Sequence, residues 1–255
     1  MSIRSKIQSL IAAANSATGE SDTTLTDAVQ TLVDGYGQGG GYTNDDFADP
    51  TKPSGAVTSS NESDKYLLYG RKGITSLNIT GPGVPDNFIM GGTGLVSVSA
   101  PVAFWIGAGA FQNCSNLPYA IFPAGQVMYT STFASCAKLL AADFGGSPNS
   151  TDGFCRSSIF SNCSKLNVLV LRGNTVWPLS NINVFYNTPF ASGKAGGTLY
   201  VPASLISSYQ SATNWSTILG YSTNSIKSIE STATDPDAPL DLTTHYADGS
   251  LIPTT

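Results

Sequence analysis

Only 11% of this 255-residue chain is charged, against about a quarter in ordinary soluble domains, and a net charge of −5 favours no particular partner. Between Ser76 and Tyr200 there are five Lys/Arg and three Asp/Glu, a surface too neutral for a nucleic-acid binder, which needs basic clustering. No apolar run reaches the roughly 18 residues of a membrane span, so membrane insertion is not expected.

The first 36 residues read as a helical hairpin. Ile3, Ile7, Leu10 and Ile11 form one apolar stripe at helical spacing, and Leu25, Val29, Leu32 and Val33 form a second. Thr24 with Asp27 gives the second helix a capping-box start, and Gly35 a C-cap. Two helices of about three turns cannot make a core alone. The stripes are therefore expected to bury themselves by homo-oligomerisation or on another protein, with docking on the rest of the chain as the alternative. The opening Met1-Ser-Ile-Arg-Ser-Lys-Ile7 leads into helical periodicity rather than a signal-peptide core, so secretion by that route is not expected.

Gly37-Gln-Gly-Gly-Gly41 is a hinge. Residues 42–73 are polar, with Pro50 and Pro53, and are expected to form an N-terminal cap on the domain that begins at Ile74; within them Lys65-Tyr-Leu-Leu-Tyr69 reads as a strand. Thr43-Asn-Asp-Asp46 and Asp49 lack the spacing of a calcium loop.

From 74 to 201 the chain repeats one pattern: Phe, then Cys at +3, then apolar residues at +6, +9 and +11. Phe160, Cys163, Leu166, Leu169 and Leu171 are the clearest copy. Phe111, Cys114, Leu117, Ala120 and Phe122 make a second, and Phe133, Cys136, Leu139, Ala142 and Phe144 a third. A weaker copy runs from Phe88 through Gly91 to Leu95, Val98 and Ala100, with one residue inserted. Ile74, Leu77 and Ile79 supply only the end of a first copy, and Phe190 with Leu199 and Val201 a stretched last one. The strand positions Leu77, Val98, Ala120, Ala142, Leu169 and Leu199 are 21, 22, 22, 27 and 30 residues apart. A period in the low twenties with this geometry is the leucine-rich-repeat signature. Residues at +9 and +11 share a face of a short strand, and one rung cannot bury that face without neighbours. The expectation is a solenoid of about six rungs with short parallel strands. Cys114, Cys136 and Cys163 should form a buried column of small hydrophobes; Cys155 stands outside the pattern.

Residues 202–230 read as a C-terminal cap, with Pro202 opening a helix and Leu205, Ile206, Tyr209 and Trp215 as its apolar residues. Ile226 and Ile229 finish a strand. Residues 231–255 are a Pro- and Thr-rich extended tail.

The run Ala110-Phe-Gln-Asn-Cys-Ser-Asn-Leu117 resembles the BspA-like leucine-rich repeats of bacterial surface proteins. Gly197-Thr-Leu-Tyr-Val-Pro-Ala-Ser-Leu205 and Tyr209-Gln-Ser-Ala-Thr-Asn-Trp-Ser216 look like the usual end of such arrays. The words Lys6-Ile-Gln-Ser-Leu-Ile11, Thr18-Gly-Glu-Ser-Asp22 and Leu32-Val-Asp-Gly-Tyr-Gly-Gln-Gly-Gly40 are similar to the opening of many prophage-encoded proteins of gut Firmicutes. These resemblances cover about 1–41 and 74–230. They imply a tail- or virion-associated protein made in the host cytoplasm, bound to other virion proteins through residues 1–41. They bring no catalytic residues with them. Gly91 and Ser192-Gly depart from the cysteine of the repeat.

Enzyme chemistry finds little purchase. The one histidine, His245, lies in the tail, far from any triad partner by pattern, and no His/Cys set has metal-ligand spacing. Gly35-Tyr-Gly-Gln-Gly-Gly40 matches no phosphate loop. Asp143 and Asp152 as a glycosidase pair would put one carboxylate on a repeat strand. No catalytic, metal or cofactor site is expected. Trp105, Tyr119, Tyr129 and Trp177 are the candidate ligand contacts, because aromatic faces suit sugars and proteins; the alternative is that these rings pad the solenoid. The sequence thus points to a non-enzymatic phage structural protein of tail, baseplate or fibre, presenting a repeat domain to a host-surface glycan or protein. A bacterial cell-surface adhesin of the same repeat family is the alternative.

Overall fold

The computed structural model describes residues 54–60, 64–148 and 157–230. The hairpin stripes, the hinge, Cys155, Asp152, His245 and the tail lie outside the described residues.

Within them the chain is built mostly of short parallel strands with few helices. One sheet joins β1 (Gly55–Ser59), β2 (Ile74–Ile79) and β4 (Ser97–Ser99). A second, of five strands, runs β11 (Ser225–Ser228), β10 (Thr198–Val201), β9 (Val168–Leu171), β8 (Ala141–Phe144), β6 (Tyr119–Phe122). A third joins β3 (Gly83–Val84), β5 (Trp105–Ile106) and β7 (Val127–Met128). Every strand pairing is parallel. The register is the one the repeat grid predicts. Leu77 pairs with Val98, Ala120 with Ala142, Ala142 with Leu169, and Leu169 with Leu199. The pattern continues one strand beyond each end, through Val57 opposite Leu77 and Ile226 opposite Leu199. From the segment expected to cap the first repeat, the structure shows β1 paired in parallel with β2.

Hydrogen bonds between turns knit a further wall. Leu68 N donates to Phe88 O, Ile89 N to Ala110 O, Phe111 N to Thr132 O, Phe133 N to Ile159 O and Phe160 N to Val184 O, at 2.8–3.0 Å. This wall corrects three expectations. Lys65–Tyr69 is a turn, not a strand, and Leu68 takes the Phe place of the first repeat. In the weak copy that place belongs to Ile89 rather than Phe88, so Gly92, not Gly91, fills the cysteine slot and no residue is inserted. In the last copy it belongs to Phe185 rather than Phe190, because Phe185 stacks on Phe160 at 5.8 Å, and Thr188 fills the slot. Phe88 and Phe190 are buried beside these anchors.

The turns have a shared local cause. Two residues after each anchor the backbone enters the left-handed region, at Gly70, Gly91, Asn113, Ser135, Asn162 and Asn187. Two residues before it, Tyr66, Asn87, Gly109, Ser131 and Ser158 do the same. Glycine and asparagine accept that conformation most readily, which explains most of these choices; Tyr66 is the costly exception.

Between the walls lies an aromatic core. Phe111, Phe133, Phe160 and Phe185 form one stacked column with ring separations of 5.3, 5.8 and 5.8 Å. Phe122 and Phe144 stack at 6.1 Å in another. The cysteine column is buried and unbridged. Each thiol donates to the anchor carbonyl one repeat back: Cys114 to Ile89 O, Cys136 to Phe111 O and Cys163 to Phe133 O.

Burial pushes the Cys114 thiol up to about 12, and burial with Cys163 alongside pushes Cys136 well up too. Both stay protonated in the folded chain at pH values where the unfolded chain ionises them. Their contribution to stability is therefore complete below pH 9 and is lost as pH rises towards 12, at up to about 1.4 kcal/mol per pH unit per thiol. Urea midpoints at pH 7 and pH 10 should diverge more for the wild type than for Cys114→Ala. Native Cys114 and Cys136 should also resist alkylation until urea is added. Equal pH slopes, or prompt native labelling, would refute the burial of this column.

Candidate functional site

Of the four aromatic residues expected to meet ligand, the structure keeps three near the surface and removes one. Trp177 is fully buried, with its ring 5.7 Å from that of Phe144. Its backbone N–H donates to the Tyr209 hydroxyl (3.0 Å), and Trp215 Nε1 donates to its carbonyl (2.7 Å). It therefore fastens the closing helices α1 (Ile206–Ser211) and α2 (Trp215–Leu219) to the repeats and is no ligand contact. The insertion that carries it folds inward because its indole has an aromatic shelf to cover.

Trp105 and Tyr129 both belong to the region of the β3–β5–β7 sheet. Trp105 is half-buried in β5, and its ring lies across Gly83 of β3, where a β-carbon would collide with it. Tyr129 follows β7 directly and is 38% exposed. Val102 and Phe104, which sequence reasoning passed over, are exposed on the same stretch of chain. Tyr119 is half-buried on β6, in a different sheet, and burial raises its phenol pKa.

Asp143 is committed to a cation rather than to a second carboxylate. It is buried on β8, and Arg172 grips it with both Nε and Nη2 at 2.8–3.0 Å. Such a forked pair neutralises the carboxylate and fixes its direction.

A recess lies at the last repeat, outside the sequence-based candidates. Its volume is about 300 Å³, the lower end of the range for small-ligand sites. Asn181 caps the 3-10 turn Ile182–Phe185, its side chain accepting from Asn183 N at 2.9 Å. That turn drives Phe185 into the core and leaves Tyr186 outside, 62% exposed. Phe185, Ala191 and Ile218 line the recess with apolar surface, and Tyr186 and Tyr221 bring aromatic rings to it. Asn183, Asn187, Ser192 and Lys194 add polar groups. The Asn187 amide is steered by its bond to Asn162 Oδ1 (3.2 Å). Lys194 is the only charged lining residue. It takes part in neither ion pair seen among the described residues, Lys65–Asp86 and Arg172–Asp143.

One signal in the sequence marks this place. The anchor-to-strand distance is 9 residues in the regular copies, as from Phe160 to Leu169, but 14 from Phe185 to Leu199. The surplus falls at residues 192–196, on the rim of the recess. The aromatic count hid it, because with Phe190 taken as anchor the distance to Leu199 is an ordinary 9.

Comparison with family models, with curated proteins and with solved structures found no match to this chain.

Proposed function

We propose that this chain is a non-enzymatic structural protein of a bacteriophage virion, in the tail, baseplate or fibre. On this reading its repeats form a BspA-like leucine-rich-repeat solenoid that presents a surface for attachment to the host. The observation that carries the proposal is the combination at the last repeat of the exposed Tyr186 ring, the half-buried Tyr221 ring and polar side chains around one recess. They sit on a stack that hydrogen bonds hold between successive repeats. Rigid elements position a binding surface better than loops do. The in-register parallel strands at intervals in the low twenties support the repeat family, and the wording of residues 1–41 supports the phage setting. Residues 1–41 then join the chain to other virion proteins or to copies of itself, burying the stripes of Ile3, Ile7, Leu10, Ile11 and Leu25, Val29, Leu32, Val33. Among the described residues no helix is long and apolar enough to cross a membrane.

Labelled antibody on purified particles should decorate the tail. A chain from Tyr42 to Glu230, displayed multivalently, should still bind host cells, because avidity replaces lost oligomerisation. Light scattering should find the full chain oligomeric and the shortened one monomeric. Decoration of bacterial surfaces with bare particles would overturn the virion assignment in favour of an adhesin. Cell binding that follows residues 1–41 would reverse the roles of the two parts.

A further inference from the structure

We infer that the recess of the last repeat binds a sugar bearing a carboxylate, such as a uronic acid unit of a surface polysaccharide. The assignment rests on the attachment reading and names its ligand class. Three independent features carry it.

The first is unspent bonding capacity. The Tyr186 and Tyr221 hydroxyls, the Asn183 amide and the Ser192 hydroxyl line the recess, and none makes a side-chain hydrogen bond within the described residues. Water satisfies such groups in the free protein. A sugar offers many hydroxyls that can replace that water in fixed directions.

The second is shape and surface. An apolar floor with an exposed tyrosine at its edge suits the apolar face of a pyranose ring, and aromatic side chains give that contact at low entropic cost. Tyr186 at 62% exposed and Ile182 at 39% are two of the largest exposed apolar side chains of the described residues, and both adjoin this one recess. Large apolar groups gathered at the surface are the informative exception to burial.

The third is charge. Lys194 contributes the only formal charge to the lining, with no acidic residue to neutralise it. In a repeat region this poor in charge, a lone cation beside stacking rings favours an anion that itself stacks.

Location strengthens the case. The recess forms where the repeat departs from its own grid. Residues 192–196 are surplus to the pattern, Gly193 takes φ +70° among them, and Asn183 is absent from the left-handed positions its counterparts occupy. Local departures from an otherwise consistent plan gather at functional sites.

The test uses the full chain with methyl glucuronoside, its methyl ester, methyl glucoside and N-acetylaspartate amide, by calorimetry and saturation-transfer NMR. The uronoside should bind best, with the ester and glucoside weaker by roughly two- to fivefold, the range of an exposed ion pair. Lys194→Met should abolish that preference. Tyr186→Ala should weaken all three sugars, by roughly two- to tenfold. Both variants should melt at the wild-type temperature. The inference is overturned if the uronoside fails to bind, or if its preference survives Lys194→Met. Equal Lys194-dependent binding of the acidic amide would also overturn it, since the site would then read peptides. Failure here with intact host-cell binding would leave attachment standing and move its site to the Trp105–Tyr129 face. Uronoside binding by a chain that neither cells nor particles carry would do the reverse.

Discussion

Phe133→Ala should destabilise the folded chain by about 3–5 kcal/mol, the cost of emptying an aromatic site in a core that cannot collapse. Phe133 is the ring on which both aromatic columns lean. It stacks on Phe111 at 5.3 Å and on Phe160 at 5.8 Å, and it meets Phe122 and Phe144 across the core at 5.8 and 6.3 Å. Its backbone N–H and the carbonyl that receives the Cys163 thiol tie it to the following repeat, and the bonds from Phe111 N to Thr132 O and from the Cys136 thiol to Phe111 O tie its turn to the preceding one, so neither neighbour can move in to fill the gap. For a chain of this size the melting temperature should fall by roughly 2–4 °C per kcal/mol. Tyr186→Ala, on the surface of the same stack, should stay within about 0.5 kcal/mol of the wild type. Urea titrations of the two variants check the contrast. A Phe133→Ala protein within about 1 kcal/mol of the wild type would mean that the aromatic columns do not hold the repeats together.

Arg172→Ala should cost about 2–4 kcal/mol. Removing one partner of a buried pair strands the other charge, and Asp143 keeps only 5% of its side chain exposed. The figure sits at the low side for such a pair because Arg172 retains 32% of its side-chain surface in water. The neighbours of Asp143 in register are Ile121 and Val170, so an apolar residue fits its place. The double variant Asp143→Val with Arg172→Met should therefore recover most of the loss, since it leaves no charge behind. A double variant as unstable as Arg172→Ala would show that the ion pair contributes net stability rather than offsetting its own desolvation.

These expectations rest on a register that the spacing of Leu77, Val98, Ala120, Ala142, Leu169 and Leu199 already carried. Strand positions were legible because alternate residues of a short parallel strand must all be apolar to face one core. The anchors were less legible. Phe88 and Ile89 are adjacent and both buried, as are Phe185 and Phe190 nearby, so hydrophobicity cannot choose between them. What chooses is the left-handed residue two places after the anchor: Gly91 for Ile89, Asn187 for Phe185. Lys65–Tyr69 misled for a related reason. Its aromatic and aliphatic residues have strand propensity, but Gly70 marks a turn, and propensity yields to such a position. Trp177 could not be placed from its insertion, because only the fold shows that Phe144 offers it a shelf. The recess at Tyr186 and Lys194 was invisible for as long as Phe190 served as the anchor.

The place just after each anchor has a different consequence. It holds Tyr69, Met90, Gln112, Ala134, Ser161 and Tyr186 in successive turns, six side chains with little in common. The anchor beside it is always a large apolar residue, and the following residue always adopts the left-handed turn. Structural instructions and freer lettering thus alternate along one short word, except where Ala134 and Ser161 are themselves buried. Substitution of that lettering is easiest at the ends, where Tyr69 and Tyr186 stand 50% and 62% exposed. The frame that keeps those two turns folded would be untouched, so the surface there can change without a change of stability.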